Sequence, residues 1–177
     1  MVVELVSVGT ELLLGNIVNT NTQYLAEQCA LLGLSLYHQS VVGDNHDRLA
    51  EVVKTALGRS DVVILTGGLG PTEDDLTKEV CAEVMGYKLV EDPHTREHLE
   101  QFFKNNIYKE IPDNNWKQAM VPEGALILDN HNGMAPGLIL EKDGKTAILL
   151  PGPPAELYPM FKEQVYPYLQ KQQPEMI

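Results

Sequence analysis

Short apolar strand patterns alternate with amphipathic helix patterns along this chain, and that alternation most limits the folds open to it. Residues 2–8 (VVELVSV) read as a first strand, and residues 61–65 (DVVIL) as a short strand buried on both faces. Between them, Leu25, Cys29 and Leu32 mark a helix that starts near Asn21 or Thr22 and stops at Gly33. Residues 34–42 alternate loosely as a second strand. Asp44 or Asn45 caps a helix in which Leu49, Val52, Val53, Ala56 and Leu57 recur at helical spacing. Leu76, Val80 and Val84 mark another helix, stopping at Gly86. Asp92 followed by Pro93 opens a further one, with Leu99, Phe102 and Phe103 on its apolar side. The stretch 105–122 is irregular apart from a short helix at NNWKQAM, and residues 125–128 read as a strand. Residues 138–140 and 146–150 flank a hairpin turn at 142–145, and PGPPAE leads into a last helix carrying Leu157, Phe161 and Val165. This order predicts an α/β fold: three layers, a mostly parallel sheet with helices on both faces, and a small β-hairpin.

The 177 residues suit one domain, taken as 1–170, with the polar stretch 171–177 as the start of a linker. No apolar run approaches the 18 residues of a membrane span, and MVVELVSV reads as a strand and not as a signal peptide. Cys29 and Cys81 fall inside helix patterns and read as reduced, buried thiols, which points to the cytoplasm. A formal charge of −12 argues against non-specific binding to nucleic acid or to an anionic membrane. It leaves room for a small phosphorylated ligand, because a bound divalent cation inverts the local field.

In a parallel sheet, ligands gather at the carboxyl ends of the strands. Four loops that follow predicted strands carry chemistry: GTELLLGN, VGDN, TGGLGPTEDD and PGPPAE. In the third, Thr66, Gly67, Gly68, Leu69 and Gly70 form a turn whose amides suit a phosphate. Glu73, Asp74 and Asp75 are expected in the first turn of the next helix. Helix-dipole complementation is their simplest role. Adjacent carboxylates beside an anion-binding turn, however, call for a hard divalent cation, Mg²⁺ by default, to bridge them to phosphate oxygens. The segment lacks the Gly-Lys-Ser/Thr of a P-loop and the spacing of a dinucleotide fingerprint.

In the first loop Glu11 is a metal or hydroxyl partner, and Asn16, Asn19 and Asn21 offer amides to a ribose or base. Turn and cap duty is the simpler reading of the asparagines, as it is of Asp44 and Asn45. Residues 130–137 are a second Gly-rich loop, containing Gly133, Pro136 and Gly137. Gly152 lies in the stiff run that aims the last helix, and Glu156 lies in that helix's first turn. His94 and His98 share a helix face without a metal-site motif and read as solvated, and no serine or cysteine triad can be assembled.

The ordered motifs GTELLLGNIVNTN, VGDN, TGGLGPTEDDLT, NNWKQA, NHNGMAPG and LPGPPAE together resemble the N-terminal domain of the CinA (competence/damage-inducible) proteins. That domain is a branch of the molybdopterin-binding fold shared with MoaB, Mog and gephyrin. The resemblance covers about residues 3–170 and implies the same three-layer fold. It implies metal-dependent hydrolysis of a nucleotide pyrophosphate, with ADP-ribose yielding AMP and ribose 5-phosphate. The alternatives are molybdopterin binding or adenylylation, and a non-catalytic nucleotide-binding module of a larger protein.

On this reading residues 66–70 hold a phosphate, and Asp75 with Asp74 binds the metal. Glu11 and Glu156 support the metal or the water. Asn19, Asn45, Lys117 and Gly137 position the nucleotide, together with Gly133, Pro136 and Gly152. Leu69 stands where the pterin branch carries threonine, and Thr72-Glu73-Asp74 replaces a more basic segment; both favour the CinA branch. Trp116 stands where similar chains carry an arginine, which bears on specificity. Relatives associate, so a homo-oligomer is expected, with a further C-terminal domain in a longer chain. The nicotinamide mononucleotide deamidation of that second domain has no counterpart in these residues.

Overall fold

A computed structural model describes residues 1–15, 19–105 and 111–173. Asn16, one of the amides named above, lies outside the described residues.

The main sheet has six strands in the order β2-β1-β3-β8-β7-β6. These are β1 (Val2–Val8), β2 (Ser35–Val42), β3 (Val62–Thr66), β6 (Leu126–Leu128), β7 (Gly137–Lys142) and β8 (Lys145–Leu150). β2, β1, β3 and β8 run parallel, and β7 and β6 close one edge antiparallel. The hairpin joining β7 to β8 turns through Asp143 and Gly144, at φ 52° and 77°. Positive φ at both central residues matches the right-handed strand twist. A separate antiparallel pair, β4 (Leu89–Glu91) with β5 (Met120–Pro122), lies outside this sheet and was not foreseen.

Alternate residues of the central strands face opposite layers, which gives the sheet two cores. Val6, Val8, Val63, Leu65 and Leu149 pack on one face under α3 (His46–Arg59) and α4 (Thr77–Met85). Val3, Leu5, Val62, Ile64 and Leu150 pack on the other under α2 (Thr20–Leu31) and the C-terminal helices. The three-layer arrangement is therefore as expected. Asn19 caps α2 and Asn45 caps α3, each through a side-chain oxygen that accepts an amide.

The local differences have local causes. Residues 10–13 form a helical turn, α1 (Thr10–Leu13), where a loop was expected. Asp44 Oδ2 holds it by accepting from the Thr10 amide and hydroxyl, at 3.4 and 3.2 Å. The expected last helix is three segments: α6 (Pro154–Met160), a π-helical turn (Phe161–Val165) and α7 (Tyr166–Gln172). Pro159 and Pro167 supply no amide to a regular ladder there. NNWKQA lies in a 3₁₀ helix (Asp113–Ala119) that follows α5 (Pro93–Lys104). Among the described residues no helix is long and apolar enough to cross a membrane.

Candidate functional site

Because β1, β2, β3 and β8 are parallel, the four loops that leave them emerge along one edge. They enclose a cavity of about 780 Å³. Glu11 lines it after β1, Asp44 after β2, residues 66–72 with Asp74 and Asp75 after β3, and Gly152 with Glu156 after β8. Gly133 reaches it from the second Gly-rich loop, and Asn19 and Asn21 from the start of α2. Its volume falls within the roughly 300–1,000 Å³ of small-molecule sites.

The turn after β3 is built by two glycines at positive φ, Gly67 at 88° and Gly68 at 70°. A side chain would collide at either: a Cβ at Gly67 would lie 2.4 Å from the Val8 carbonyl oxygen, and one at Gly68 would lie 2.1 Å from Thr77 Oγ1. Thr77 locks the turn, its hydroxyl donating to the Gly67 carbonyl at 2.8 Å and its amide to that of Gly68 at 3.2 Å. Thr66 is still part of β3, and the Gly67 amide donates to Leu150 O at 3.0 Å. Of the five residues expected to hold a phosphate, these two are therefore tied to the sheet. The amides of Gly68, Leu69 and Gly70 have no partner among the described residues. Successive unpartnered amides at a strand-to-helix turn are the kind of donor set that suits an anion.

The acidic residues are not in a helix, which corrects the sequence expectation. α4 starts at Thr77, and Glu73, Asp74 and Asp75 form the turn before it. The cause is local competition for the backbone. Asp75 Oδ2 accepts from the Thr72 amide at 3.0 Å and from its hydroxyl at 2.7 Å, while the Asp75 amide donates to Thr72 O. The turn delivers the Asp75 carboxylate to the cavity wall.

Among the described residues, five carboxylates line the cavity, those of Glu11, Asp44, Asp74, Asp75 and Glu156, and no lysine or arginine does. A bare phosphate at the free amides would meet uncompensated negative charge. A hard divalent cation fits this donor set. Asp75 and Asp74 would hold it, with ligand oxygens completing its shell, as Mg²⁺ commonly takes one or two carboxylates plus phosphates. An all-protein cage does not fit, since no group of three metal-ligating side chains gathers among the described residues.

The chain matches the family described as "Probable molybdopterin binding domain" over residues 4–171. It belongs to that family. A competence-damage inducible protein of Caldicellulosiruptor bescii is 58% identical over 171 residues, which is 97% of this chain and 41% of the relative. Its counterpart in Clostridioides difficile is 55% identical over 177 residues, 100% of this chain and 42% of the relative. The chain thus spans about two fifths of the length of the curated relatives it matches. Among solved structures, the CinA protein of Thermoplasma acidophilum superposes with a TM-score of 0.84 at 32% identity, covering 90% of this chain and 93% of that one. The molybdopterin biosynthesis enzyme MoaB of Thermus thermophilus superposes at 0.63 and 18% identity, covering 97% of each chain, which shows a shared fold.

Within this domain, several expected ligand residues are engaged elsewhere. Asn19 lines the cavity, but its amide donates to Ser7 Oγ at 2.8 Å and its carbonyl oxygen caps α2. Asn45 is exposed, accepts from the Arg48 amide at 3.0 Å and does not line the cavity. Pro136 and Gly137 are buried below it. At Gly137 a Cβ would lie 2.4 Å from Met160 Sδ, so the glycine serves packing between β7 and α6. Lys117 does not line the cavity either. Its Nζ donates to the carbonyls of Thr72, at 2.8 Å, and of Asp75, and lies 3.4 Å from Glu79 Oε1. It clamps the Asp75 turn. Lys78 in turn donates to the Lys117 carbonyl at 2.6 Å; burial, with Lys117 pushing the same way, brings its ammonium down to about 8 against the pull of Glu79.

Glu156 Oε1 accepts from Asn130 at 2.8 Å, directly over Gly133, where a Cβ would lie 2.1 Å away. His94 and His98 are not simply solvated. His94 pairs with Asp129 at 2.8 Å, which raises its pKa through that hydrogen bond, and His98 contacts Gly133 O at 3.1 Å. Both tie α5 to the loop that carries Gly133. Trp116 carries the Arg96 guanidinium 4.5 Å above its ring, a cation–π contact. Burial pushes the thiols of Cys29 and Cys81 up to about 11 and about 12, so neither is a nucleophile. Phe102 and Gln118 line the cavity without having been foreseen. Phe102 carried only a helix-face signal, and Gln118 only its place beside Lys117.

Proposed function

We propose that this domain hydrolyses a nucleotide pyrophosphate, with ADP-ribose as substrate and AMP and ribose 5-phosphate as products. The observation that carries the proposal is the joint presence, in the walls of one cavity, of three residues whose amides are unpartnered among the described residues and of five carboxylates among those residues. A cation beside these carboxylates would offset their repulsion of a phosphate. Gly68, Leu69 and Gly70 donate to one phosphoryl group and hold it in line. Asp75, fixed by Thr72, and the adjacent Asp74 would hold a divalent ion. When bound, such an ion neutralises phosphoryl charge and acidifies water. Glu11 has no partner among the described residues and accepts the proton of the attacking water. As the new P–O bond forms, the anhydride P–O bond breaks and the departing phosphate leaves as an anion. Glu156, oriented by Asn130, supports the water from the opposite loop.

The family match favours a second reading, binding of a pterin phosphate at the same amides without turnover. A third, a nucleotide-binding module without catalysis, draws on the two-fifths coverage of the curated relatives.

Incubation with ADP-ribose, FAD and NAD, each with Mg²⁺ or Mn²⁺ and followed by mass spectrometry, separates these readings. AMP release from ADP-ribose, abolished by chelator, supports the proposal. Tight pterin-phosphate binding with no release from any substrate supports the second reading. Saturable nucleotide binding without products supports the third.

A further inference from the structure

Three buried side-chain polar atoms lack a partner among the described residues: Asn21 Oδ1, Glu79 Oε2 and Gln118 Nε2. Two of the three, on Asn21 and Gln118, belong to residues of the cavity wall. A buried polar atom left unpaired costs about 1–3 kcal/mol, and native chains retain few of them without a use. Gln118 is only 2% exposed, and its amide bonds no described residue.

Asn21 is oriented. Its Nδ2 donates to Gly152 O at 2.6 Å, which fixes the carboxamide and leaves Oδ1 as a bare acceptor. Gly152 itself rests on the phosphate turn, since a Cβ there would lie 3.6 Å from the Gly67 Cα. Gln118 sits on the other flank: its neighbour Lys117 bonds the carbonyls of Thr72 and Asp75.

An ionised phosphate is an acceptor only, so it cannot satisfy Asn21 Oδ1. That atom requires a donor close to the phosphate. In a nucleoside 5′-phosphate the sugar hydroxyls are the nearest donors, and the amino group of the base is farther along the molecule. We infer that Asn21 reads a sugar hydroxyl of the ligand through Oδ1, and that Gln118 Nε2 donates to an oxygen of the same ligand beyond the Thr72–Asp75 turn. The two residues then set specificity for a sugar phosphate over a bare phosphate. The inference rests on the phosphate reading of Gly68, Leu69 and Gly70.

The test is calorimetric titration, with Mg²⁺ present, of AMP, 2′,3′-dideoxy-AMP, inosine 5′-monophosphate and inorganic pyrophosphate. Wild type, Asn21→Ala and Gln118→Met are compared, each with a thermal melt. Wild type prefers AMP over its dideoxy counterpart about tenfold, and Asn21→Ala loses that preference. Gln118→Met melts above wild type, because an unpaired buried amide is gone, yet binds AMP about tenfold more weakly. A purely structural glutamine would not separate the two readouts, and this variant stands if Asn21→Ala fails to fold.

Asn21→Ala retaining the full hydroxyl preference overturns the inference. So does collapse, in that variant, of an AMP-over-inosine preference instead of the hydroxyl one, and so does Gln118→Met melting lower with AMP affinity intact. Pyrophosphate binding by a wild type indifferent to the hydroxyls overturns this inference alone. Binding of neither AMP nor pyrophosphate overturns the phosphate reading with it.

Discussion

The Asp75 carboxylate lies against Gly70, so close that a Cβ at Gly70 would come within 2.6 Å of Asp75 Oδ2. The same oxygen takes both hydrogen bonds from Thr72. The amide proposed to meet a phosphate and the carboxylate proposed to meet a cation are thus adjacent parts of one turn.

Gly70→Ala tests that contact. Gly70 does not take a positive φ, so alanine introduces no backbone strain there and acts only by displacing the carboxylate. The expected melt changes by less than about 1 kcal/mol. ADP-ribose turnover falls about 10²-fold, the scale for a reacting group moved by about 1 Å. Unchanged turnover would mean that Asp75 is not where the chemistry occurs.

Asp75 and Asp74 are expected to differ. Asp75 is held by Thr72, whereas Asp74 is exposed and has no partner among the described residues. Asp75→Asn lowers turnover at least about 10²-fold at saturating Mg²⁺, and Asp74→Asn lowers it less than about tenfold while raising the Mg²⁺ needed for half-maximal rate. Metal titrations of the two variants make the comparison.

Lys117 is expected to act on rate and not on binding, because it clamps the carbonyls of Thr72 and Asp75 outside the cavity. Lys117→Met lowers kcat about 10- to 100-fold with little change in KM. A rise in KM at constant kcat would return Lys117 to the role of a phosphate contact.

Acid stability is expected to depend on Glu4. Its carboxylate is 1% exposed and receives Arg59 Nε at 3.0 Å, Arg59 Nη2 at 2.8 Å and Ser60 Oγ at 2.9 Å. Burial alone would raise its pKa; the hydrogen bonds from Arg59 and Ser60 outweigh burial and hold it below its ordinary 4.5. A carboxylate depressed in the folded state stabilises it above the unfolded pKa, and that contribution fades as pH falls through the folded value. Melting temperatures of wild type therefore drop below about pH 4.3, and those of Glu4→Gln drop less. Arg59→Met lowers the melting temperature at neutral pH, because it leaves the Glu4 carboxylate buried without its guanidinium.

The sheet was legible because its strands carry their burial in their own composition. DVVIL can only be a strand covered on both faces, and Gly33 and Gly86 do end the helices before them at positive φ. From four parallel strands the shared edge followed, and with it the cavity. Helix starts beside polar loops were less legible. Asp75 spends its carboxylate on Thr72, a three-residue interaction that competes with helix and that helical periodicity does not register. Side-chain commitments across the fold were least legible. Asn19 and Asn21 look alike in sequence, yet one is consumed by Ser7 and the other keeps a bare acceptor. Gln118 reaches the cavity from the 3₁₀ helix that Lys117 ties to the Asp75 turn, a tie across 42 residues that sequence spacing does not show.

The central claim is that the free amides after β3 hold a ligand phosphate. Amide resonances of the domain, followed by ¹H–¹⁵N spectra during titration with AMP and Mg²⁺, address it most directly. The expected result is that Gly68, Leu69 and Gly70 shift most, with the Gly67 amide, committed to Leu150, moving least of the four. Saturable binding that leaves those three amides in place and shifts residues outside the cavity would contradict it.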